Sequence, residues 1–126
     1  MEARWPQLLL VLGFAFGVPV GFALSQTANF HVDERLQMTT TEIPAPTNVR
    51  VHEDRWEPGA ETGPHDHPGP AILAVLEGEL LEQTSAGNIV LRAGEVVWRP
   101  ARQHHSVKNV SGAVARVLAI HLDPMP

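Results

Sequence analysis

From Val49 to the C-terminus, apolar residues alternate with polar ones or form brief unbroken blocks, each closed by glycine or proline. This rhythm predicts extended strands at residues 49–56, 71–76, 79–84, 89–91, 95–98, 103–107 and 114–122. Breaks at Pro58-Gly59, Gly63-Pro64, Ala86-Gly87-Asn88, Ala93-Gly94 and Ser111-Gly112 recur at the spacing of an all-β sandwich or barrel. No stretch shows the period of an amphipathic helix. Residues 71–76 and 117–120 lack polar alternation and are expected to be covered on both faces. A domain of about eighty residues buries only around 60% of its unfolded surface, so a second copy is a natural cover and a homodimer is expected.

The pattern differs upstream. Residues 26–46 are polar and uneven, with Thr39-Thr40-Thr41, Pro44 and Pro46, and read as a linker with an edge strand expected around Leu36 to Met38. Ahead of it, residues 8–24 are uncharged and apolar, follow a head containing Arg4, and run into the small-x-small step Ala23-Leu24-Ser25. Residues 1–25 therefore read as a signal peptide or an N-terminal anchor, and the domain as exported, periplasmic or secreted. Pro19 and the shortness of the run weigh against a membrane-spanning helix. The membrane is an expected partner only if the segment stays uncleaved.

Composition narrows the chemistry. The chain has 126 residues and a net charge of -5, with no lysine or arginine cluster, so nucleic acid is excluded as a partner. With no cysteine, disulfides and thiolate metal sites are excluded too. Any metal must rest on histidine, carboxylate, backbone or water. His65-Asp66-His67 is the sharpest candidate, because residues i and i+2 of an extended chain project to one face and imidazole suits Fe, Ni, Cu and Zn. A second block, residues 94–105, ends in His104-His105 and can supply a third imidazole. Adjacent strand residues face opposite sides, so only one of that pair enters a barrel.

Taken together, the two blocks resemble the cupin superfamily, whose motifs run G-x5-H-x-H-x3-E-x6-G and G-x5-P-x-G-x2-H-x3-N. Gly59, His65, His67 and Gly78 fall in register with the first, and Gly94, Pro100, His105 and Asn109 with the second. The resemblance implies a small jelly-roll β-barrel over residues 47–126 with His65, His67 and His105 as ligands of a divalent metal, whether Fe, Mn, Ni, Cu or Zn. Spacing selects His105 over His104. Two departures stand out: Ala71 occupies the position of the family's metal-binding glutamate, and Arg102 that of a glycine. Ala71 leaves two outcomes open, a neutral three-histidine site with open positions or the loss of metal altogether.

Around this site Trp56, Ala71, Trp98 and Arg99 are candidates for lining a ligand pocket, and Arg99 and Arg102, flanking Pro100, read either as solvated loop residues or as groups that hold a substrate carboxylate. His31, His52 and His121 have no spacing partner and read as solvated or core histidines. Two function classes follow. One is a metalloenzyme of dioxygenase, isomerase or decarboxylase type acting on a small oxygen-rich or carbonyl substrate; the other is a non-catalytic module that binds a metal or a small-molecule ligand.

Overall fold

The computed structural model describes residues 28–126. The segment 1–25 read as a targeting sequence lies outside the described residues. The domain is the unit Val32–Pro126, and no helix forms among the described residues. Its strands are β1 (Thr47–Trp56), β2 (Ala71–Glu77), β3 (Glu79–Thr84), β4 (Gly87–Arg92), β5 (Val96–Arg99), β6 (His105–Lys108) and β7 (Ala115–Pro124). Each sits within a few residues of a run expected from the sequence. Leu36 to Met38 form no strand.

The strands build two antiparallel sheets, ordered β1-β7-β2-β5 and β4-β3-β6. Central strand β7 alternates strictly between buried and half-buried positions, because its odd-numbered residues face the opposing sheet and the even ones face outward. Val75, Leu80, Leu91, Val107, Ala115 and Val117 make the core between the sheets, with Trp56, Leu73 and Val97 packed against it. Fully burying a side chain of this size stabilises by roughly 1.5–3 kcal/mol, so this core holds the two sheets together.

Two contacts outside the sheets matter for the site. Residues 59–65 run antiparallel beside β6, with Gly59 N–H donating to Asn109 O at 2.8 Å, Thr62 N–H to Val107 O at 3.0 Å, and a reciprocal pair between His65 and His105 at 2.8 and 2.9 Å. Asn109, fully buried, ties this region to the neighbouring loop by donating to Trp56 O and Ala113 O and accepting from Ser111. The glycine pattern is broken at Arg102, which adopts the left-handed conformation with φ of 61°. A glycine would reach this conformation without the strain a Cβ imposes. The Arg102 N–H donates to His67 O at 2.9 Å, so the unusual turn is locked to the histidine arm.

Candidate metal centre

The backbone pairing of residue 65 with residue 105 brings the two histidine blocks together. One ring nitrogen from each of His65, His67 and His105 lies within 4.8 Å of the other two. His65 Nε2 and His67 Nε2 are 3.1 Å apart, close to the roughly 3 Å separation expected when two imidazoles share one ion at about 2.0–2.1 Å. His104, immediately ahead of β6, is exposed whereas His105 is buried.

The histidines are oriented from behind. His65 Nδ1 faces the Gly63 carbonyl at 3.0 Å, and a carbonyl only accepts, so the proton sits on Nδ1 and Nε2 carries the lone pair. His105 Nδ1 faces Glu82 Oε1 at 2.7 Å and is likewise the donor. Its Nε2 is buried and has no hydrogen-bond partner among the described residues. A buried acceptor with no partner is costly, and a cation at the shared position would satisfy it. The donor set therefore fits a divalent metal.

Glu82 is fully buried on β3 and lies between two donors, His105 and the guanidinium of Arg99, whose Nε donates at 2.6 Å. Burial pulls its carboxyl upward, yet the hydrogen bonds from His105 and Arg99 outweigh this and hold it below the ordinary carboxylate range. His67 is pushed down to about 4, first by burial and then by the neighbouring His121, His65 and His105. It is therefore neutral near pH 7, the form that can ligate.

The pocket candidates separate. Trp56 lines a cavity of about 210 Å³ that also contains the three histidines. Ala71 is buried on the inward face of β2, in register with Arg99 on one side and His121 on the other, and contrary to expectation is not among the residues lining that cavity. Trp98 is a correction: as an even neighbour of inward Arg99 it faces outward, where it lines a shallow depression with Met38, Thr39 and Pro100. Arg99 is another: its guanidinium is committed to Glu82 and acts behind the metal centre, leaving no free group for a substrate carboxylate. Glu61 and Glu77 pair with Lys108 and Arg116, so neither replaces the missing carboxylate ligand.

Several cavity residues escaped the sequence reading. Arg50, His52 and Asp54 point inward from β1 beside the expected Trp56, and His121 joins them from β7. The ring of His121 stands 4.8 Å from that of His67 and stacks on that of His52 at 5.0 Å. Burial, with Arg50 and His52 nearby, holds His121 below the ordinary histidine range. A signal was present: polar residues at 50, 52 and 54 alternate with Val49 and Val51, which are exposed. The usual rule puts the apolar face inward, so the pattern was readable but its direction was inverted.

Comparison with known proteins places the chain in context. The family described as "Cupin domain" matches residues 53–121. A cupin-domain protein from Bordetella pertussis Tohama I has 32% identity and a TM-score of 0.53 over 60% of this chain and 81% of its own. A predicted oxalate decarboxylase from Thermotoga maritima has 25% identity and a TM-score of 0.53 over 57% of this chain and 64% of its own. The polyketide cyclase RemF from Streptomyces resistomycificus shares the fold at 22% identity and a TM-score of 0.55, over 59% of this chain and 54% of its own. No curated protein matches the chain.

Proposed function

Because the chain belongs to the cupin-domain family, we propose that it binds a divalent metal through His65, His67 and His105 and acts on a small carbonyl or oxygen-rich substrate. The observation that supports this best is the buried, unpartnered Nε2 of His105, aimed by the Glu82 and Arg99 pair. A carboxylate with its own arginine is an expensive support for a histidine that only fills a core. When bound, a metal of this kind supplies Lewis acidity and, if iron, dioxygen chemistry. The chain's own contribution is to hold three neutral imidazoles on one side and to enclose the substrate between apolar walls. Decarboxylase, isomerase and dioxygenase chemistry all suit such a site; the predicted oxalate decarboxylase is one structural neighbour with a named activity.

A non-catalytic binding module is the second reading, favoured by one observation: Ala71 brings no carboxylate to the centre. Metal analysis of tag-free protein followed by an oxygen-uptake and product screen separates the readings. Bound metal with substrate-dependent turnover supports the enzyme, bound metal with stable ligand and no turnover supports the module, and protein free of metal after loading with Fe(II), Mn(II) or Zn(II) rejects the metalloenzyme and leaves only a metal-free small-ligand module.

We further propose export, on the strength of residues 1–25, and a homodimer formed through the outer face of the four-stranded sheet. N-terminal sequencing of extracytoplasmic material should begin near Gln26 if the segment is cleaved; full-length protein in the cytosol would refute export.

A further inference from the structure

The ligand's charge can be read from what surrounds the three histidines. Imidazoles ligate in their neutral form, so a divalent ion held by them keeps both its charges unless a carboxylate is within reach. Among the described residues the nearby carboxylates are committed elsewhere. Glu82 is neutralised by Arg99. Asp123, buried beside His121 on β7, has its charge offset by Arg50, which pairs with Oδ2 at 2.7 Å while Oδ1 has no hydrogen-bond partner among the described residues. Asp54 faces His52 Nδ1 at 2.8 Å and its side chain is 38% exposed, where water and salt screen it. Ala71 has no charge to give. An uncompensated charge in a cavity is costly, so the entering ligand has to bring the counter-charge.

Shape and lining limit the rest of that ligand. The cavity, about 210 Å³, is smaller than the roughly 300–1,000 Å³ of sites for drug-sized molecules. Beyond the histidines its apolar walls include Leu73, Leu80, Leu91, Val117 and Ala119, while Arg50, Asp54 and Thr62 supply a polar side. A polyhydroxylated molecule that fills the cavity would strand hydroxyls against the apolar walls, whereas an aliphatic body would not. The exposed sides of Arg50, His52 and Asp54 make β1 the way in.

His121 marks where the head would lie. One row across the inner sheet runs Arg99, Ala71, His121, Arg50. Within it His121 lines the cavity, with its ring 4.8 Å from that of His67, and its cross-strand neighbour Ala71 brings no carboxylate. His121 is nine-tenths buried and its Nδ1 has no hydrogen-bond partner among the described residues.

We propose that the site takes a small monoanion, a carboxylate on a short apolar body, with its head against His121 and its body against Leu73, Val117 and Ala119. The inference rests on the metal reading above and adds the substrate class. It is tested by calorimetric titration of zinc-loaded, tag-free protein with 4-methylpentanoate, its neutral isostere 4-methylpentanamide, and glucose. The carboxylate should bind at least about tenfold tighter than the amide, the scale of one charge-assisted contact, and glucose should not bind. His121→Ala should weaken the carboxylate by about tenfold while changing zinc affinity by less than about threefold. His121→Gln, which keeps a donor, should recover part of the loss. Zinc failing to bind the wild type overturns the metal reading and this inference together. Zinc binding normally with the amide as tight as the carboxylate, with glucose bound in its place, or with carboxylate affinity untouched by both His121 changes, overturns this inference alone.

Discussion

Glu82 holds the most consequential charge in the molecule. Fully buried, it ties β3 to β5 through Arg99 and to β6 through His105. Removing one member of a buried pair leaves an uncompensated charge, so Arg99→Leu should destabilise by about 3–5 kcal/mol in urea unfolding. Glu82→Gln keeps the shape but weakens the hold on His105, and should lower zinc affinity about 10–100-fold in chelator competition. His67 sets a pH dependence. Its folded value, about 4, lies below the ordinary 6.5, so on acidification the unfolded chain takes up a proton that the folded chain resists. In chelator-treated protein, stability should be full above about pH 6.5 and fall as pH drops toward 4. His67→Gln should flatten that slope, and an unchanged slope would count against the buried position of this ring. Ala71→Glu restores a carboxylate beside His121. It should tighten metal binding by about tenfold or more and shift preference toward Mn. Unchanged metal affinity with a lowered melting temperature would reject the site.

Among the elements, β1 carries the reversal that makes the cavity polar on one side. Its alternation puts Arg50, His52, Asp54 and Trp56 inward and leaves Val49 and Val51 exposed. The β2–β3 connection is the opposite case, dictated locally. Gly78 has φ of +71°, and a Cβ there would stand 2.6 Å from Val114 O and 2.9 Å from Ala115 Cα. Backbone atoms cannot yield as a flexible side chain can, so Gly78→Ala should cost about 1–3 kcal/mol, read as a lower urea midpoint. A midpoint equal to wild type would mean the turn has another conformation open to it. Turns of this sort were legible because the chemistry that makes them lies within a few residues. The edge strand expected at Leu36 to Met38 was not, because a strand needs a partner edge, and pairing is not encoded in three residues.

At the scale of the whole molecule, the four-stranded sheet presents Val49, Val51 and Leu76 as exposed apolar residues, alongside half-buried Ile72, Leu118 and Ile120. Contiguous apolar surface of this kind suits a second copy. Wild-type protein should therefore run as a dimer in light scattering at micromolar concentration, and Val51→Lys combined with Ile120→Lys, which are cross-strand partners, should give a monomer. A monomeric wild type would leave that face without its proposed occupant. The sequence alone determined the seven strands, since a period of two is a local property that survives whatever the strands later pack against, and the histidine trio was legible through the resemblance of both motif blocks to the cupin pattern. Alternation let only one of His104 and His105 face inward, and the motif spacing chose His105. Only the tertiary structure decided that Arg99 serves Glu82, that Trp98 faces out, and that His121 and the polar side of β1 share the cavity. Those facts depend on which sheet lies over which. The strands that supply them are up to 73 residues apart, as in the Arg50–Asp123 pair, and no local pattern records a contact made across that distance.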